Sequence, residues 1–167
     1  MSRLLSRRSL FGAGLGATAV AVVGQRSAAA VPAGGQLVTF RAPIRVYDSR
    51  VDTYALQGRK LASGESVAVT VSAAFADIPS GFAESVFVNC TVTGTEGSGY
   101  LVVRGSDLSG EVPLPPTSNI NWTGPNQTLA NLVLTTVGGE NALEVHCAGG
   151  GRTHVVVDVQ GYVPYVL

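Results

Sequence analysis

The feature that most constrains this chain is a regular alternation of apolar and polar residues in short runs. Within 66–72 and 86–93, a valine or cysteine occupies every second position. Further short runs rich in apolar residues follow, separated by Gly, Pro and Ser clusters. They occupy 100–103, 129–136, 143–147 and 153–163. This spacing predicts an all-β domain over 37–167, a single antiparallel β-sandwich, jelly-roll-like or Ig-like, with about seven to nine strands.

Composition excludes several classes of protein. Hydrophobic residues make up 46% of the 167-residue chain, which is enough to bury a core and excludes intrinsic disorder. Charged residues make up only 13%, about half the usual share, so the surface is unusually neutral. The formal net charge of zero gives none of the basic character of a nucleic-acid-binding protein, and the sequence has no cofactor fingerprint.

The first 30 residues have the three-part organisation of an export signal. A short basic segment with Arg7 and Arg8 precedes an uncharged stretch over 10–23. Small residues that include Ala28 and Ala30 follow, and they suit cleavage by a signal peptidase. Because the uncharged stretch is shorter than the roughly 20 residues of a membrane-spanning helix, we expect no membrane span in the mature protein.

The paired arginines extend this prediction to the route of export. The sequence Ser-Arg-Arg-Ser-Leu-Phe at 6–11 resembles the twin-arginine signal, which directs the export of folded proteins. We therefore predict a twin-arginine-type signal peptide over 1–30 and a linker over 31–36. The partners in export are the twin-arginine machinery and a signal peptidase. The product is expected to be secreted, either extracellular or loosely associated with the cell wall.

Six short phrases punctuate the predicted strands. They are Arg-Val-Tyr-Asp-Ser-Arg at 45–50, Asn-Cys-Thr-Val-Thr at 89–93, Gly-Tyr-Leu at 99–101, Ser-Asn-Ile-Asn at 118–121, Thr-Leu-Ala-Asn at 128–131 and Val-Asp-Val-Gln-Gly-Tyr at 157–162. Their order resembles a secreted, β-rich cell-surface domain of actinobacteria that is often attached to cell-wall amidases and secreted peptidases. The resemblance implies secretion and a β-fold, and it brings no established catalytic residues.

The polar residues of these phrases also have a structural interpretation. Asp48 and Arg50 lie on the same side of a predicted strand, so we expect an ion pair between them. The amide and carboxylate groups can hydrogen-bond loop backbone that would otherwise be buried without partners. These residues are Asn89, Asn119, Asn121, Asn131 and Asp158.

Searches for catalytic motifs point away from an enzyme. The sequence has no Gly-x-Ser-x-Gly elbow, no phosphate-binding loop and no His-Glu-x-x-His motif. We therefore expect a non-catalytic secreted binding module that recognises a wall glycan or a surface protein. One alternative is a self-associating structural envelope protein, favoured by the low surface charge and exposed sheet edges. The other is a secreted hydrolase.

The candidate ligand-binding residues lie in the segment 119–127, which combines amides with an aromatic ring. They are Asn119, Asn121, Trp122 and Asn126. Aromatic faces suit sugar rings, so this tip segment predicts a glycan-binding site, with Tyr54 and Tyr165 as further aromatic candidates. An opposing interpretation applies to Trp122, which shares its alternation with Ile120 and is predicted to face the core instead.

The two cysteines are in phase with the inward-facing residues of their predicted strands. An exported protein with an even number of cysteines usually oxidises them, so we expect a disulfide between Cys90 and Cys147. The alternative is two separate buried thiols.

The two histidines are predicted to be neighbours. The glycine-rich segment 148–152 suits a hairpin loop, and the simplest register across it places His146 opposite His154 on the outer face. Glu144 lies two residues along the same face, so His146, His154 and Glu144 form a candidate metal site. The alternative is an exposed pair of histidines without a function.

Overall fold

Nine β-strands in two antiparallel sheets make up most of the described chain, which confirms the predicted all-β sandwich. This computed structural model describes residues 35–51, 54–75, 83–106 and 113–164. The strands are β1 (Val38–Asp48), β2 (Leu61–Ala62), β3 (Ser66–Thr70), β4 (Ala83–Glu96), β5 (Gly99–Gly105), β6 (Ile120–Trp122), β7 (Leu129–Thr136), β8 (Ala142–Ala148) and β9 (Arg152–Pro164). Single turns of 3₁₀-helix occupy Ser72–Phe75 and Gly139–Asn141.

The predicted export signal lies outside the described residues. Its candidate residues are Arg7, Arg8, Ala28 and Ala30. Tyr165 also lies outside them. Within the described ranges, no helix is long and apolar enough to cross a membrane.

The order of the strands explains how the chain closes into a sandwich. Sheet A has the order β1–β9–β4–β7, and β2 pairs with β9 beyond the end of β1. Sheet B has the order β3–β8–β5–β6. The chain passes from one sheet to the other repeatedly, including between β4 and β5 and between β8 and β9. These two connections lie at the same end of the sandwich, because β4 ends beside the start of β9.

Alternation along the strands builds the core between the sheets. Most inward-facing positions of β4 and β9 are fully buried valines, while most of their outward-facing neighbours are partly exposed. Trp122 is also buried, as its alternation with Ile120 predicted. Its indole packs over Gly99, where a Cβ atom would lie only 2.4 Å from the ring, so only glycine allows this packing.

The predicted hairpin between the last two strands is wrong. β8 lies in sheet B and β9 in sheet A, so the glycine-rich segment 149–151 is a corner that joins the sheets. His146 is in register with Ser66 of β3, whereas His154 is in register with Thr93 of β4. The two rings lie on the outer faces of opposite sheets, so the predicted pair of neighbouring histidines does not form. A short flexible loop suits a hairpin and a corner equally well, and alternation is the same in both.

The predicted disulfide is also wrong, because Cys90 and Cys147 are free, buried thiols. Cys147 lies near the end of β8, one residue before its last, whereas Cys90 pairs with Val157 near the middle of β9. The cysteines are therefore offset along the strands by several residues, at about 3.3 Å each, and lie on sheets packed about 10 Å apart. A disulfide requires Cα atoms within about 7 Å. Burial raises the pKa of Cys90 to about 12 and that of Cys147 to about 11, which keeps both thiols protonated.

Candidate ligand-binding groove

A polar groove lies where β4 ends beside the start of β9. Its volume is about 380 Å³, within the usual range for ligand sites. We call it the groove and define it by its lining residues, which are Gly58, Arg59, Lys60, Ala62, Glu96, Arg152 and His154. An adjoining hollow extends it along the corner 150–151 and Ser63. The groove therefore collects residues from three segments that are distant in sequence.

Strand register brings the charged residues of the groove together. Leu61 of β2 pairs with Thr153 of β9, and this register carries the preceding residue, Lys60, to the side of His154. On the other side of β9, Glu96 of β4 pairs with Arg152. Because paired residues of a sheet share a face, these side chains meet on the outer face of sheet A.

A β-bulge in β4 decides that Glu96 faces the groove. Between Thr93 and Glu96, β4 has one residue more than the facing segment of β9. Gly94 takes the extra step with a φ of +58°, a left-handed conformation that favours glycine. The bulge turns Thr95 inward, where it is fully buried, and turns Glu96 outward. Regular alternation would have placed the carboxylate of Glu96 on the core side.

Glu96 is shared by two cations. Its Oε1 lies 2.5 Å from Lys60 Nζ, and its Oε2 accepts a hydrogen bond from Arg152 Nε. These two partners lower the pKa of the Glu96 carboxyl, so it is ionised at neutral pH. Arg59, at the rim, pairs separately with Glu65 at 2.6 Å. One carboxylate thus faces two cations, which leaves the groove with an excess positive charge.

His154 adds a neutral donor to this groove. Burial, together with the cations of Lys60 and Arg50, lowers the pKa of the ring below its usual value. Its Nδ1 lies 3.2 Å from Ser49 Oγ, which itself accepts a hydrogen bond from the backbone N–H of Val155 at 2.9 Å. The Ser49 hydroxyl is satisfied when it donates to Nδ1, and this leaves Nε2–H as a donor on the side of the ring away from Ser49.

The phrase at 45–50 forms an ion-pair network beside the groove. Arg50 donates two hydrogen bonds to Asp48, at 2.8 and 2.6 Å, so the predicted pair is confirmed. This guanidinium lowers the pKa of the Asp48 carboxyl. Arg45 of β1 lies opposite Asp158 of β9 and donates two hydrogen bonds to it, at 2.8 and 3.1 Å. Asp158 therefore pairs with a side chain, rather than with loop backbone as expected.

The predicted tip segment lies at the same end of the sandwich, but the side-chain amides of Asn119, Asn121 and Gln127 are hydrogen-bonded within the protein. Asn119 accepts a hydrogen bond from the backbone N–H of Val103 at 2.7 Å. Asn131 donates to the backbone oxygen of Asn119, as expected of a residue that satisfies backbone, whereas Asn121 bonds to the Ser118 hydroxyl.

The rest of the tip is anchored on the buried residue Thr95. Thr95 Oγ1 donates to the backbone oxygen of Gly124 and accepts from the backbone N–H of Gln127. Asn126 adopts a left-handed φ of 57° and donates its backbone N–H to Thr95. Trp122 is buried in the core. The structure therefore gives Asn119, Trp122 and Asn126 roles in holding the fold, whereas Asn121 is exposed and bonds to the Ser118 side chain.

The predicted metal site does not form. Glu144 pairs with Arg104 on the outer face of sheet B at 2.8 Å, and His146 Nδ1 lies 2.9 Å from Ser66 Oγ. His154 lies on sheet A. Among the residues that the structure describes, no group of three or more His, Cys, Asp or Glu side chains could hold a metal ion.

Sequence reasoning missed Lys60, Glu96 and Arg152 because they belong to no motif. Two signals were present in the sequence. Lys60 is the single lysine of the chain, and Gly94 interrupts the alternation of β4, as a glycine at a bulge does. Neither signal indicates that Lys60 and Glu96 meet beside the start of β9, since their meeting depends on strand order.

No protein-family model matches this chain, and neither a curated protein nor a solved structure does so. The resemblance to actinobacterial cell-surface domains therefore remains a prediction from the six phrases.

Proposed function

We propose that this protein is a non-catalytic, secreted binding module that attaches to an anionic wall glycan through the groove. The observation that carries the proposal is the sharing of Glu96 between Lys60 and Arg152, beside the neutral donor of His154. An anionic ligand would balance the excess positive charge. The same donors, with Glu96 as an acceptor, suit the hydroxyl groups of a sugar.

The charge distribution of the chain favours an anion at this place. Residues 31–167 contain seven basic and eleven acidic side chains, a net charge of −4. The groove is thus a positive site on a negative domain, and such a site selects its ligand locally rather than by long-range attraction. Binding should weaken with added salt, because the groove is open and its charges are screened.

Two wall components carry the required chemistry. Phosphodiester polymers and the carboxylates of peptidoglycan both present anionic oxygens next to hydroxyl groups. Guanidinium groups bind both kinds of oxygen by charge-assisted hydrogen bonds. The proposal is therefore for anionic oxygens on a wall glycan, and the binding experiment below separates the two sources.

The role of Ser49 supports binding rather than catalysis. Its hydroxyl is fully buried and accepts the backbone N–H of Val155, so it joins β1 to β9 instead of facing the groove. A nucleophilic serine must reach its substrate from an exposed position. The Ser49–His154 contact thus supports a role in orienting the imidazole ring.

Export through the twin-arginine pathway belongs to the same proposal. It depends on Arg7 and Arg8 within the predicted signal peptide. The exported protein would reach the wall already folded.

Sedimentation with purified bacterial cell walls tests the binding proposal. We expect wild-type protein to sediment with walls at low salt and Arg152→Gln to lose at least tenfold in affinity. Arg41→Gln is the matched control, because Arg41 is an exposed arginine away from the groove. It lies in the first half of β1, which pairs with the end of β9, whereas the groove lies at the start of β9. This variant should bind like wild type.

Walls stripped of phosphodiester polymers by hydrofluoric acid identify the source of the anion. Loss of binding to stripped walls assigns the site to phosphodiesters, and retained binding assigns it to peptidoglycan carboxylates. The proposal is wrong when wild-type protein binds neither preparation, or when Arg152→Gln and Arg41→Gln bind equally well.

A further inference from the structure

β7 forms one edge of sheet A, and no strand among the described residues pairs with its other side. Its side chains are exposed on both faces of the strand, including the inward-facing Leu129 and Asn131 at the margin of the core. Val133 is the buried residue of the strand. On the outer face, Leu132 and Leu134 are 56% and 57% exposed, the largest fractions among the described large apolar side chains.

The opposite edge of sheet A is protected in the usual ways, and β7 is not. β1 carries Arg41, Pro43 and Arg45, and its pairing with β9 is interrupted by two register shifts. Charges, proline and bulges all prevent the addition of another strand. β7 reads Leu-Ala-Asn-Leu-Val-Leu-Thr-Thr and pairs with β4 over its full eight residues without a register shift. It is a regular, uncharged edge with unshielded leucines.

The sequence of β7 is complementary to itself. A two-fold axis perpendicular to sheet A keeps the outer faces of both copies on the same side, so paired residues must be both odd or both even. When Val133 pairs with its own equivalent, Leu132 of each copy faces Leu134 of the other. Both exposed leucines are then covered in two cross-strand pairs.

We propose that two copies of this chain associate by antiparallel pairing of β7 with β7, in the register that places Leu132 opposite Leu134. Sheet A then continues across the dimer. The partner is a second copy of the chain because a single register covers the exposed leucines of both strands. The strand also brings no charge that would repel its equivalent. This inference does not depend on the ligand of the groove.

Sedimentation velocity across a range of concentrations tests the association. We expect wild-type protein to double its mass as concentration rises. Leu132→Lys/Leu134→Lys should remain monomeric, or raise the dissociation constant at least tenfold, with an unchanged circular dichroism spectrum. Ile44→Lys is the matched control, because it adds a lysine at an exposed apolar position on the opposite edge, and it should dimerise like wild type.

Cysteine cross-linking tests the register. A mixture of Leu132→Cys and Leu134→Cys proteins should form mixed disulfide dimers under mild oxidation, and each variant alone should form few. Cys90 and Cys147 do not interfere because they are buried. The proposal is overturned when wild-type protein stays monomeric at all concentrations, when the lysine variant dimerises like wild type, or when each cysteine variant cross-links alone as well as in the mixture.

Discussion

The tip segment and the groove lie at the same end of the sandwich, yet their polar groups behave differently. In the tip, Asn119 and Asn126 satisfy or position backbone, and Thr95 ties the loop to β4. In the groove, Lys60 and Arg152 converge on a single carboxylate, which leaves charge and donors for a ligand.

The difference shows that polar residues next to strands are ambiguous in a sequence. The sequence of the tip resembles a binding site because its amides and tryptophan lie close together along the chain. The groove is built from residues in separate segments, and none of them stands out in its own surroundings. A hydrogen-bonding group that already has its full set of partners is poorly placed to bind a ligand. Excess charge and open donors are better guides to a site than a local cluster of polar residues.

Asn119→Ala should destabilise the tip and leave ligand binding in the groove unchanged. It removes the acceptor of the Val103 N–H, which belongs to a buried residue, so we expect a loss of about 2 kcal/mol in the free energy of unfolding. Asn121→Ala is the matched control, because Asn121 is exposed and bonds to the Ser118 side chain, and it should cost less than about 0.5 kcal/mol.

Chemical denaturation measures both variants, and wall sedimentation should show wild-type affinity for each. A tip that binds ligand would instead lose affinity in Asn121→Ala while keeping its stability. That result would show that the tip binds the ligand, and it would contradict the structural role given to the tip.

Part of this comparison could be predicted from the sequence. Alternation alone identified the strands and the inward-facing position of Trp122, because the period of a strand depends on local geometry. It could not distinguish a hairpin from a corner at 149–151, since both are short turns rich in glycine. The errors over the histidines, and over Cys90 and Cys147, follow from strand order and sheet assignment. Strand order and the β4 bulge are long-range properties, and they decided the position of Glu96.

A smaller expected effect is the contribution of His154 in the groove to the pH dependence of the free energy of unfolding. The pKa of His154 is lowered in the folded state by burial and by the cations of Lys60 and Arg50. As the pH falls below about 6.5, the unfolded ring takes up a proton before the native ring does. The free energy of unfolding should therefore decrease from pH 6.5 downward until the native ring is also protonated, and it should show no contribution from this group above pH 6.5.

His154→Asn removes this contribution while keeping a polar atom near Ser49. Its unfolding free energy should depend less on pH than that of wild type between pH 5 and 7. Asn121→Ala is the control, because it changes an exposed side chain that does not titrate, and it should retain the wild-type slope. Equal slopes for wild type and His154→Asn would show that the lowered pKa of His154 does not contribute to the pH dependence of stability.

Excess positive charge in the groove would bind an anionic ligand, so substitutions that raise and lower this charge should change the affinity in opposite directions. Glu96→Gln removes the carboxylate between Lys60 and Arg152, and Arg152→Gln removes a cation from the same place. Isothermal titration with a glycerol phosphate oligomer probes binding of phosphodiester oxygens, and titration with an oligogalacturonate probes binding of carboxylate oxygens on a sugar. For the oligomer that wild-type protein binds, we predict about tenfold tighter binding by Glu96→Gln and about tenfold weaker binding by Arg152→Gln. Weaker binding by both variants, or no binding of either oligomer to wild-type protein, would contradict the account.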